Sequence, residues 1–212
     1  VELNDLRSQP VGYIDVIDMY QLDFKEFVQA LGVGDDVISH LRRCFCEKTP
    51  VDEFVHARLM QMMHLYLLIG GMPAVVSKYL ESNNLRLIAD EQQSILRLYK
   101  KDIAQYDPQR KLYLNEIFDL IPPELNEKNK RFILKNLNEH MKFSRYEDSF
   151  LWLKNAGVAI PTYNVEEPTL PLLLSRSRNL FKLFQNDVGL LAAQYASGIQ
   201  LKILSGEDKI NH

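Results

Sequence analysis

Cysteine is scarce in this chain: Cys44 and Cys46 are the only two among 212 residues. On a helix, positions two apart point to different faces, so the pair does not read as a disulfide. His40 lies four residues before Cys44, but a structural zinc site wants four such groups and no second pair is near, so no metal site is expected. Basic charge is not in surplus either; the net charge of −3 gives no overall pull towards nucleic acid or acidic lipid. No apolar run approaches the roughly 20 residues that a bilayer span needs. Without a basic segment followed by an apolar one at the start, no signal peptide is visible, and the cytoplasm is the expected location, with no membrane partner. There is no G-x-x-x-x-G-K-[ST] loop for phosphates. No glycine-flanked nucleophile is visible, and no Ser/His/Asp order. His56 and His64 share a helix without an acidic partner between them. Asp35-Asp36, Glu147-Asp148 and Glu166-Glu167 are neighbours in sequence rather than converging pairs, which fits caps and solvated surface. No catalytic residue is therefore expected in this chain.

What is present is a helical rhythm broken at one conspicuous place. From Phe54 to Leu80 the chain reads FVHARLMQMMHLYLLIGGMPAVVSKYL. Gly70-Gly71 interrupts the apolar helix, and Pro73 stands where a new helix can start, since the first-turn N–H has no intrahelical partner and the ring already fixes a helical φ. The two glycines allow close approach to the backbone, and a helix N-terminus presents free N–H groups. A tight helix–helix turn would account for the same residues.

Before this stretch, Tyr13–Tyr20 alternates apolar and polar residues and reads as one short strand. A single strand leaves its edges unpaired, so it calls for a sheet that nothing nearby supplies. Asp23 and Glu26 form a capping box, with Leu22 and Phe27 placed for a staple. The helix they open stops at Gly32 and Gly34. Helices are then expected at about 36–46, over the stretch described, and from Leu87 to Gln105. Asp107-Pro108 marks the expected boundary. Beyond it, a short helix ending at Pro122-Pro123, a second over about 127–139 and a third opened by a capping box at Ser144 are expected. Tyr146, Phe150 and Leu153 share a face of the third, and Gly157 stops it. Strands at 158–165 and 179–186, joined by a proline-bearing loop, complete the order of a winged helix. The fold class is mainly α (α+β). The segments are 1–20, a strand of a missing core; 21–106, a helical subdomain; 107–205, a winged-helix domain with a small β-hairpin; and 206–212, a polar tail.

Four stretches together resemble one bacterial and archaeal family of AAA+-like, signal-transducing P-loop ATPases with a C-terminal winged-helix and nuclease-like region. Gly70-Gly71-Met72-Pro73 is similar to the glycine–proline turn of the nucleotide lid. YQLDFKEF from Tyr20 resembles Y-P-L-S-F-x-E-F, YKKDI from Tyr99 resembles Y-L-R-D-I, and FKLFQNDVGLL from Phe181 resembles K-L-Y-F-x-D-x-G-L-L. They occur in the family's order over most of the chain. Gln21 stands for the usual proline, Asp23 for serine and Lys101 for arginine. The resemblance implies that residues 21–106 are the helical lid and that Gly70, Gly71, Met72 and Pro73 pack against the base and sugar of a nucleotide. It also implies a P-loop core upstream of Val1, with ATP and magnesium in the intact parent, and a nuclease-like region beyond His212. The chain alone is expected to bind no cofactor and to be inactive.

The alternative is a self-contained winged-helix protein that binds DNA and regulates transcription without nucleotide. Lys128, Lys130, Arg131, Lys135, Lys142 and Arg145 precede the third helix, and Arg176 and Arg178 lie near the wing, where a helix-turn-helix reader meets phosphates. Glu147 and Asp148 on that helix oppose them, so only weak DNA binding is expected.

Overall fold

The computed structural model of the chain describes residues 17, 19–106, 111–133 and 146–195. The molecule is mainly helical, with a small antiparallel sheet. In chain order the helices are α1 (Phe24–Ala30), α2 (Asp35–Glu47), α3 (Glu53–Ile69), α4 (Pro73–Ser82), α5 (Leu85–Tyr106), α6 (Lys111–Asn126) and α7 (Glu147–Asn155). Strands β1 (Ala159–Val165) and β2 (Arg176–Gln185) follow, then α8 (Val188–Gln194).

The local signals explain most of these limits. Asp23 and Glu26 close the capping box of α1 in both directions, with backbone-to-carboxylate distances of 2.8 and 2.9 Å. Asp52 caps α3, accepting from the N–H groups of Phe54 and Val55. Pro73 takes the first turn of α4, as its missing N–H allows. Gly157 adopts φ +67° after α7, and the Val158 N–H reaches back to the Leu153 carbonyl, so the chain turns straight into β1.

Two hydrophobic clusters are joined by α5. Phe27, Val28, Ile69, Val75, Val76 and Ile88 form the first, among α1, α3, α4 and the start of α5. The second runs from Leu96 and Ile103 of α5 through Ile117, Phe118 and Ile121 of α6 to Phe150 and Leu153 of α7, Phe181 and Leu183 of β2 and Leu190 of α8. Met72 and Ile95 pack against both. Tyr146, Phe150 and Leu153, expected on one face of the third helix, are all buried in the second cluster.

The hairpin is as expected: β1 and β2 pair antiparallel, from Ala159 opposite Gln185 to Val165 opposite Arg176, with one irregularity between Tyr163 and Asn164. A loop over 166–175 joins them.

Two expectations need correction. Pro122-Pro123 does not end α6, which continues to Asn126. Burial wins there: Ile121 and Pro122 sit in the interior, and the Pro122 carbonyl takes a hydrogen bond of 2.8 Å from the Tyr195 hydroxyl. Residues 127–133 are not helical either. The Lys130 N–H closes a turn onto the Glu127 carbonyl, Lys130 adopts φ +52°, and the Phe132 N–H donates to the Phe181 carbonyl of β2. Stacking of Phe132 on Phe181, 5.9 Å between centroids, holds this segment against the sheet rather than in a helix. Ile17, Met19 and Tyr20 are strongly exposed and pair with no strand among the described residues, and the expected strand of a missing sheet is left untested. Tyr13–Val16 and Asp18, Asp107-Pro108, Ser144 and 134–139 lie outside the described residues.

Candidate functional site at the glycine–proline turn

The turn between α3 and α4 is a meeting point of four distant segments. Its geometry begins with Gly70, which ends α3 at φ +79° while its N–H still reaches the Tyr66 carbonyl at 2.7 Å. Glycine is required by the φ and by the space: a Cβ here would run into the Asp187 carboxylate. At Gly71 a Cβ would run into the Leu22 backbone, because the Leu22 N–H donates to the Gly71 carbonyl at 2.9 Å. Tyr66 holds the other side of Leu22, its hydroxyl donating to the Leu22 carbonyl at 2.8 Å, and its ring lies against Phe24 and Phe27.

From the far end of the chain comes Asp187. One carboxylate oxygen accepts the Gly71 N–H at 2.7 Å, and the other accepts the Leu190 N–H at 2.9 Å, capping α8. Gly189 packs its bare Cα directly on the Ile69–Gly70 backbone. Next to Asp187, the Asn186 side-chain amide donates to the Tyr99 hydroxyl at 3.1 Å. Gln92 completes the junction, donating to the Leu68 and Ile69 carbonyls that the end of α3 leaves free, at 2.7 and 3.1 Å.

Electrostatically the site centres on one buried acid. Burial pushes the Asp187 carboxyl above its ordinary value, outweighing the N–H groups of Leu190, Gly71, Gly189 and Met72 that pull it down. The same desolvation raises the Tyr66 and Tyr99 hydroxyls, with Asp187 adding to both. Among the described residues no group of His, Cys, Asp and Glu is arranged to hold a metal ion. Cys44 is buried with its sulfur 3.5 Å from the His40 ring, and Cys46 is exposed. The acid, the tyrosine hydroxyls and Gln92 together hold the backbone of the turn in place.

The predicted turn residues divide sharply. Gly70 and Gly71 are buried, Met72 is half-buried, and Pro73 is exposed. Of the basic residues, Lys128 and Arg131 are exposed and Lys130 is half-buried, while Lys135, Lys142 and Arg145 lie outside the described residues. Arg176 sits 4.3 Å over the Tyr163 ring. Arg178 falls on β2, with its side chain outside the described part. Sequence reasoning missed the pin between Asp187 and Gly71. The available signal was an acid two residues before glycine at a helix start, an N-cap pattern, but the cap's second partner is 116 positions away. Nothing in the sequence pointed to Gln92.

No single described helix is long and apolar enough to cross a membrane; α3 and α4 qualify only as a pair, and this junction bends that pair by 118°. Fold and site together define a mainly helical protein with a small antiparallel sheet, locked at a buried glycine turn. The chain belongs to the family described as Domain of unknown function (DUF8612), whose model matches residues 60–202. No curated protein and no solved structure matches it significantly.

Proposed function

We propose that this chain is the nucleotide lid and winged-helix docking module of an ATP-binding, AAA+-like cytoplasmic protein, acting on a P-loop core that precedes it. One observation carries the reading. The four stretches that resemble that ATPase family are far apart in sequence, yet Leu22, Gly71, Tyr99 and Asn186-Asp187 form one connected junction. The order α6, an extended segment beside β2, α7 and a hairpin with a 166–175 loop supports the winged-helix part. Exposed Phe45, Phe54 and Met60, the latter two on a helix apolar nearly all round, give an upstream core a surface to cover.

In this reading Gly70 and Gly71 shape the turn from inside, and Pro73 with part of Met72 forms the apolar edge for a base. Such packing is worth about 1–3 kcal/mol, comparable to one buried apolar side chain. That is too little to hold a free nucleotide against the freedom lost on association. Phosphate binding, magnesium and any hydrolysis belong to the upstream core. The basic residues at Lys128–Arg131 add at most a weak, salt-sensitive contact with DNA.

Calorimetry with magnesium-ATP tests this. The chain alone should bind none. The protein extended upstream through a G-x-x-x-x-G-K-[ST] loop should bind ATP, and Pro73→Ala should weaken it by about 5- to 150-fold, matching the packing lost. An upstream sequence without that loop, or an ATP affinity that ignores Pro73→Ala, overturns the proposal. Tight, salt-tolerant binding of duplex DNA by the chain alone would favour the transcription-regulator reading instead.

A further inference from the structure

A second site lies away from the turn, in a cleft of about 610 Å³ between α5, α6 and the end of α8. Its size is that of an ordinary ligand site. The apolar part is supplied by Leu96, Phe118 and Pro122, all buried. Polar groups on the walls are unevenly paired. Lys100 is neutralised by Asp119 at 2.6 Å. Arg97 donates to the Ser94 hydroxyl at 2.9 Å but meets no carboxylate among the described residues. The Gln194 amide is the most telling group. Both its nitrogen and its oxygen are shut from solvent and find no hydrogen-bond partner among the described residues. A buried amide without partners is costly, and turning it into the cleft would present a donor and an acceptor side by side. The Pro122-Pro123 pair adds a third feature. Neither ring has an N–H to offer the carbonyl one turn earlier, and at exposed Pro123 this leaves the Asp119 carbonyl of the cleft wall short of a donor.

We propose that this cleft binds an extended peptide segment carrying one acidic side chain beside an apolar one. The carboxylate would pair with Arg97, where one unneutralised guanidinium matches one negative charge. A peptide group supplies both the acceptor and the donor that Gln194 lacks, and a further peptide N–H answers the Asp119 carbonyl at the exposed Pro123. The apolar side chain lies on Leu96, Phe118 and Pro122. A nucleotide fits less well, because its phosphates bring more negative charge than the cleft leaves unpaired. The proposal does not depend on any nucleotide at the glycine turn.

The test uses the full chain and fluorescein-labelled, N-acetylated octapeptides, each with one Glu and one Leu at varied spacing in a Gly/Ser background. Anisotropy should detect a bound member. Arg97→Glu, a change at an exposed position, should weaken it at least tenfold, and the matching peptide with Lys for Glu should bind the Arg97→Glu protein better than wild type. In NMR the Gln194 side-chain amide resonances should shift with the peptide. Circular dichroism on Arg97→Glu separates a lost contact from a lost fold, and Arg97→Ala, which should also weaken binding, provides a second variant. The proposal falls if no peptide in the set binds, or if binding ignores Arg97. It also falls if AMP, and no peptide, moves the Gln194 resonances.

Discussion

Asp187 holds two parts of the chain together through its two oxygens, one on Gly71 and one on Leu190. Removing the carboxylate in Asp187→Ala leaves both N–H groups without a partner in a buried place, and at about 1–3 kcal/mol for each should cost about 2–6 kcal/mol in a denaturant titration. Asp187→Asn removes the titration but keeps one acceptor oxygen for the two N–H groups, so its cost has a part that does not vary with pH, and only the pH-dependent part reports the charge. Because burial raises the carboxyl above its ordinary 3.8, the folded protein holds this proton more tightly than the unfolded chain does. The resulting stability is fully present below the unfolded value and is lost as pH rises through the raised folded value. The melting temperature of wild type minus that of Asp187→Asn should therefore fall as pH climbs from about 3.5 to about 7. A difference constant over that range would mean that Asp187 is not buried as an acid. At this scale the site was half legible. Glycine-glycine-proline announces a turn by its own stereochemistry, whereas the acid that occupies the space beside the glycines is set by tertiary approach alone.

Among the elements, α6 is the one that contradicts local rules. A proline inside a helix removes a hydrogen bond and crowds the preceding turn, at about 3 kcal/mol relative to alanine. The helix nevertheless runs through both prolines, because Ile117, Phe118 and Ile121 anchor its face in the second cluster. Pro123 is exposed and contributes little packing. Pro123→Ala should thus restore an N–H towards the Asp119 carbonyl and stabilise the protein by about 1–2 kcal/mol, the helix gain less the unfolded-state entropy that proline had removed. A thermal melt showing loss of stability would mean that the ring itself is needed, as a wall of the cleft. The same competition decided what the sequence could disclose of the fold. The cap at Asp23, Pro73 at a helix start and the strand pattern of β1 are local, and they were readable; the cap at Asp52 is just as local but went unread. The extended run to Ile133 was not, since its reason is Phe181, some fifty positions away, together with the Ile133 N–H bonding to the Glu124 carboxylate at 3.0 Å.

At the scale of the molecule, the two clusters can unfold together only if the junction transmits stability between them. α5 passes through both, but a single helix is a weak mechanical link unless its neighbours also hold. Gly189 provides one such contact, lying on the Ile69–Gly70 backbone where no side chain fits. Asp187 and Gln92 then tie α8 and α5 to the same turn. Gly189→Val would push α8 away from the end of α3, and a clash with backbone cannot be relieved by a rotamer change. In native-state hydrogen exchange, wild-type amides in α4 and in β1–β2 should share one large opening. In Gly189→Val, α1, α3 and α4 should exchange well before the hairpin, which keeps its ladder and its packing of Phe132, Phe150 and Phe181. Uniform acceleration across both clusters would show that the core is continuous and that the glycine turn couples nothing. Selective acceleration would show that whatever loosens or tightens the turn between α3 and α4 is felt at α8, which is the physical requirement for a lid that reports to a docking module.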